Sequence, residues 1–104
     1  MAGGNGREDD KGTTLELGGK QYTLSPINLN VLIGVEEELG CSLTEIGEEY
    51  RKNEAKVLRT WVWLLLRENH PELTKEDVGR LIGLSDLARV AEVVHDGIMR
   101  VVNG

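Results

Sequence analysis

Apolar and polar residues alternate at the start of the patterned part of the chain: Leu15 and Leu17 within Thr14-Leu15-Glu16-Leu17, then Tyr22 and Leu24 within Lys20-Gln21-Tyr22-Thr23-Leu24. A period of two places one set of side chains on one face of a strand, and the intervening Gly18-Gly19 supplies the positive φ that a tight hairpin turn requires. The pattern predicts a β-hairpin over Thr13–Leu24 with Leu15, Leu17, Tyr22 and Leu24 turned inward. A lone hairpin is marginal in water, so that face must lie on helices.

From Ser25 onward the period changes to that of helices. Ser25-Pro26 reads as a cap followed by a proline at the first helical position, where the missing N–H costs nothing. The predicted helix runs from Pro26 to Leu39 and ends at Gly40 as a left-handed cap. Val31, Leu32, Val35 and Leu39 share one of its faces. Leu29 and Ile33 fall on a flanking stripe, which makes this helix apolar on more than one side.

Ser42-Leu43-Thr44-Glu45 matches a capping box and predicts a short helix to about Tyr50. After the polar break Arg51-Lys52-Asn53, a longer helix over Glu54–Asn69 carries the densest apolar content and is the expected centre of the fold. His70-Pro71 stops it, because proline disfavours helical geometry in the residue before it. Thr74 caps a further helix with Glu76 and Asp77 in its first turn, where they favour the helix dipole. Gly83 ends that helix and Ser85 is the expected cap of the last one, which reaches about Val102. Leu87, Val90, Ala91, Val94, Ile98 and Val101 form its apolar stripe, opposite Arg89, Glu92, Asp96 and Arg100. The expected architecture is mainly α: a small helical domain of about five helices with a short N-terminal β-hairpin. Residues 13–104 form the single domain, and residues 1–12, rich in glycine and charge, read as a disordered tail.

Composition narrows the function classes. The chain has 104 residues, enough for one domain with a real core. Phe is absent and the hydrophobic fraction is 39%, so Leu, Val and Ile must build that core. A net charge of -6 disfavours a phosphate-backbone partner, which needs clustered Lys and Arg. Cys41 is the single cysteine and reads as a small, partly buried hydrophobe. The longest strongly apolar run, Trp61 to Leu66, is far short of the roughly 20 residues a membrane-spanning helix needs.

Neither catalytic nor metal nor cofactor signatures emerge. His70 and His95 have no HExxH or CxxC context, and the glycines make neither GxGxxG nor GxxxxGK[ST]. Ser25, Ser42 and Ser85 are accounted for as helix starts. Glu36-Glu37-Glu38, with Glu45, Glu48 and Glu49 nearby, reads as a solvated acidic face. Leu73 to Val94 has the outline of a helix-turn-helix, but the outward residues of its second helix nearly cancel in charge, whereas a recognition helix offers cations and amides.

The long central helix holds the informative anomaly. Its apolar residues cover a broad arc, while Lys56, Arg59, Thr60 and Arg67 gather opposite, and Trp63 falls among them. Arg59 and Arg67 stand four residues to either side, so two guanidinium groups can frame the indole. An exposed tryptophan flanked by arginine has the composition of an interface hot spot, and cover by the hairpin or another helix is the competing reading. The candidate partner-binding residues are Trp63, Arg59, Arg67, Leu29 and Ile33.

Several stretches together resemble the tail assembly chaperones of long-tailed bacteriophages, prophages and gene transfer agents. They are Gly19-Lys20-Gln21-Tyr22-Thr23-Leu24; Glu36-Glu37-Glu38-Leu39-Gly40 with Ser42-Leu43; Leu58-Arg59-Thr60-Trp61-Val62-Trp63-Leu64; and Pro71-Glu72-Leu73-Thr74-Lys75-Glu76-Asp77-Val78-Gly79 with Leu81-Ile82. The resemblance implies a non-enzymatic protein of the host cytoplasm that binds the tape measure protein, keeps it soluble, helps recruit tail tube subunits and is absent from the mature virion. It implies no cofactor, nucleic acid or membrane, and leaves homo-oligomerisation open. The alternatives are a structural tail-completion or head-tail joining subunit and a small helix-turn-helix-like regulator.

Overall fold

The computed structural model describes residues 14–103, with side chains to Met99. The tail expected over residues 1–12 lies outside the described residues, as do the side chains of Arg100 and Val101. Strands β1 (Thr14–Leu17) and β2 (Lys20–Thr23) pair antiparallel, with Leu15 opposite Tyr22 and Leu17 opposite Lys20. Gly18 and Gly19 turn the hairpin at φ 59° and 82°, a region that L side chains avoid. Leu15, Leu17, Tyr22 and Leu24 are all buried, as the alternation predicts.

Helix α1 spans Leu29–Leu39, so the predicted start at Pro26 is incorrect. Asn28 is the cap: its backbone is extended, and its side-chain oxygen accepts the Val31 N–H at 3.0 Å. Ser25 is committed elsewhere, since its backbone N–H donates to the Leu65 carbonyl at 2.8 Å and its side chain is buried. That tie keeps residues 24–28 as a non-helical strap, and asparagine caps a helix as well as serine does. Gly40 ends α1 in the left-handed conformation at φ 68°, donating to the Glu36 carbonyl.

A 3-10 turn over Leu43–Glu45 leads into α2 (Ile46–Lys52), and the Glu45 carboxylate accepts the Ser42 N–H at 3.0 Å. Helix α3 covers Glu54–Leu66 and stops short of the predicted Asn69. Residues 67–69 form a turn, and the His70 N–H returns to the Leu66 carbonyl at 2.7 Å before Pro71. Helix α4 (Lys75–Leu81) is closed reciprocally, Thr74 Oγ1 accepting from Asp77 N–H and the Asp77 carboxylate accepting from Thr74 N–H, each at 3.0 Å.

The last helix, α5 (Leu87–Asn103), follows a 3-10 turn over Leu84–Asp86. Ser85, expected as its cap, lies inside that turn. The Asp86 carboxylate reaches back to the Gly83 N–H at 3.3 Å and closes that turn.

Among the described residues, helix α3 packs against each of the four other helices. Thr60, assigned by its polarity to the outer arc, is only 3% exposed, because a helix surrounded in this way has no solvent side along most of its length. Helices α1 and α3 meet closely at Gly34, where an added Cβ would stand 2.9 Å from Leu64 Cδ2. The strap also reaches α5: a Cβ at Gly97 would lie 2.8 Å from Ile27 Cδ1. Val90 and Val94 carry the α5 stripe into the core. Among the described residues, no helix is long and apolar enough to cross a membrane.

Candidate interaction surface

Trp63 is half-buried and packs against the core. Its indole N–H donates to the Leu73 carbonyl at 3.2 Å, which ties α3 to the segment entering α4. Two cations lie over the ring, Arg67 at 5.3 Å and Lys75 at 5.5 Å from its centroid. Lys75 in turn pairs with Glu38 of α1 at 2.6 Å. Arg67 is therefore where the four-residue spacing places it, but the second cation comes from α4 and not from Arg59. The Arg59 stem runs instead along α4, its Cδ 3.3 Å from a Cβ built at Gly79, and its Nε is buried without a hydrogen-bond partner. Trp63 thus holds α3, the α4 entry and, through Lys75 and Glu38, α1 in one contact network. Neither Leu73 nor Lys75 could be assigned to it from sequence, because their approach is set by the turn after Pro71.

The flanking stripe of α1 has a different fate. Val31, Gly34, Val35 and Leu39 are buried, while Leu29 is 69% and Ile33 41% exposed. Leu29, Ile33 and Glu37 succeed one another at four-residue spacing on the outward face, and half-buried Leu32 borders them. Leu29 and Ile33 stand outside the buried core cluster and the partly buried residues packed against it. A second exposed position, Leu84 at 90%, lies in the turn before α5, and Leu87 and Met99 are partly exposed on α5 itself. Leu84 follows Gly83 directly, and that apolar residue in a turn was the available signal for it.

The remaining polar groups are largely absorbed by structure. His70 Nε2 accepts the Thr23 N–H, and its ring meets Tyr22 edge-on with centroids 5.2 Å apart. His95 is exposed on α5 near Glu92 and Asp96. Among the acidic residues, Glu36 accepts the Leu43 N–H at 3.1 Å, Glu48 pairs with Arg51 and Glu49 accepts from Asn53, while Glu37 faces solvent. Cys41 is half-buried against the core. Burial, and after it Glu49, Glu45 and Glu36, push its thiol above the ordinary range, with Lys56 opposing. In the segment with helix-turn-helix outline, the Arg89 guanidinium is engaged by Asp86 at 2.8 Å and by the Glu16 carbonyl of the hairpin, which occupies a cation that a nucleic-acid surface would need free.

Comparison with protein families, with curated proteins and with solved structures finds no match.

Proposed function

We propose that the chain is a non-enzymatic tail assembly chaperone of a long-tailed phage or prophage. It would act in the host cytoplasm, hold the tape measure protein soluble, help recruit tail tube subunits and leave before the particle is complete. The observation that carries a protein-binding role is the exposed pair Leu29 and Ile33 on α1, apolar side chains left outside a core that closes without them. Apolar surface of this kind on an otherwise charged domain marks protein contacts, and a net charge of -6 keeps its bearer soluble while that surface is unoccupied. The specific assignment to tail assembly rests on the sequence stretches from Gly19 to Ile82 described above.

Co-expression with the long, coiled-coil-rich protein encoded beside this gene tests the proposal. A chaperone co-purifies with that partner and raises its soluble fraction, and mass spectrometry of purified virions does not find the chain. Detection of the chain at stoichiometric levels in virions would favour a structural tail-completion or head-tail joining subunit instead.

A further inference from the structure

The outward face of α1 is divided along its length. Its N-terminal half presents Leu29, Leu32 and Ile33, and its C-terminal half presents Glu37 beside Glu36. From Leu29 to Glu37 the axial distance is about 12 Å at the helical rise, two turns. The acidic end is reinforced from outside the helix: the Glu36 and Glu45 carboxylates accept the Leu43 and Ser42 N–H groups, which places them together at the loop after α1, and Glu49 of α2 acts with them on the Cys41 thiol in that loop. Lys56 is the cation that opposes them there. Their hydrogen bonds to Leu43, Ser42 and Asn53 neutralise no charge, since each donor is a neutral amide.

We infer that this face docks a cationic amphipathic helix, whose apolar residues cover Leu29, Leu32 and Ile33 and whose Lys or Arg residues, one to two turns further on, meet Glu37 and the carboxylates at the loop after α1. The inference deepens the protein-binding reading above and rests on it for the existence of a partner. Its own content is the partner's chemistry and the place of contact. An apolar stripe followed by net negative charge is complementary to the inverse arrangement on a second helix, and it rejects an acidic helix of equal hydrophobicity through like-charge repulsion. A second copy of this chain is a poor occupant on the same ground, because it would bring identical carboxylates to the contact. The Trp63 network is a poor alternative site, because its indole N–H and ring face are already occupied.

The test titrates the full chain with two synthetic helical peptides of equal apolar content, one carrying Lys beside its leucines and the other Glu, while amide chemical shifts are followed. The Lys peptide should bind with shifts centred on Leu29–Glu37, weaken as salt rises, and lose about tenfold in affinity, equivalent to 1.4 kcal/mol, against Leu29→Ser/Ile33→Ser. Glu37→Lys should weaken the Lys peptide and strengthen the Glu peptide. Equal binding of both peptides, shifts centred on Trp63 or Leu84, or indifference to the double substitution would overturn the inference. Its failure is separable from that of the chaperone proposal. If the tape measure candidate co-purifies equally with wild type and the double variant, the contact lies elsewhere and chaperone action survives. If the Lys peptide binds α1 but no virion protein co-purifies, the docking face stands and the tail-assembly role falls.

Discussion

His70 Nε2 accepts the backbone N–H of Thr23 at 3.1 Å, and the neighbouring Asn69 donates its side-chain amide to the Thr23 carbonyl at 3.2 Å. Thr23 is the last residue of β2, so the turn after α3 engages both main-chain groups at the end of a hairpin edge that would otherwise face solvent. A proline-terminated helix end thereby substitutes for a third strand.

His70→Ala should cost about 0.5–1.5 kcal/mol in chemical denaturation, the usual worth of one such hydrogen bond. Amide exchange at Thr23 should accelerate more than exchange within α3. Unchanged protection at Thr23 would show that the contact does not hold the hairpin.

Ser25 and Asn28 separate the two possible starts of α1. Asn28→Ala removes the cap and should destabilise by about 1 kcal/mol. Ser25→Ala removes a buried hydroxyl that has no partner, and should leave stability unchanged or raise it by up to about 1 kcal/mol. Thermal unfolding of both variants decides, and the reverse ranking would restore Ser25 as the cap.

Gly34 and Gly97 look alike in sequence and should respond differently. A Cβ at Gly34 meets Leu64, which is 2% exposed and has nowhere to move, whereas a Cβ at Gly97 meets the end of half-buried Ile27 on the strap. Gly97→Ala should be near neutral, with the helix-propensity gain of about 0.5–1 kcal/mol offsetting the contact. Gly34→Ala gains the same propensity but should lose on the order of 1–3 kcal/mol by overpacking and come out destabilised. Equal melting temperatures for the two variants would contradict the close α1–α3 approach.

These contrasts show what was legible in the sequence and what was not. The hairpin, its inward residues, the Gly40 cap and the central place of α3 follow from local periodicity and turn chemistry, and the structure bears them out. The errors lie where a long-range contact decided the outcome. Ser25 was drawn to Leu65, 40 positions away, and Asn28 took its place. Thr60 was covered because α3 has neighbours on every side. Ser85 is the exception, a local one: it falls inside a 3-10 turn closed by Asp86 on the Gly83 N–H three residues back. At the candidate surface, the flanking position of Leu29 and Ile33 was readable from spacing alone, while the cover over Trp63 depended on Leu73 and Lys75 arriving from beyond Pro71.

Two titrations carry definite signs. The backbone hydrogen bond from Thr74, and after it the Arg80 guanidinium and the Thr74 side chain, hold Asp77 below the usual carboxylate range. A carboxyl depressed in the folded state contributes stability above its unfolded pKa of about 3.9 and loses it as pH falls through the folded value. Asp77→Asn should therefore flatten the acid limb of the stability curve by lowering stability near neutrality, with little effect below the folded pKa. At Cys41 the shift is upward, from burial first and the nearby glutamates second, so iodoacetamide alkylation should be slower than for a free thiol at pH 8, its pH profile displaced to higher pH. A Cys41 reactivity equal to that of a free thiol would contradict the burial and acidic surroundings described.

Trp63→Ala is unsuited to testing the interaction surface, because truncating a tryptophan packed on the core costs about 3–5 kcal/mol and would confound binding with folding. Leu29→Ser/Ile33→Ser avoids this, since both residues lie outside the core. The most direct measurement is the soluble yield of the tape measure candidate co-expressed with wild type and with this double variant, after far-UV circular dichroism shows equal folding. The account predicts that wild type keeps the partner soluble and the double variant does not. Equal soluble yield with both would contradict the assignment of partner binding to the outer face of α1.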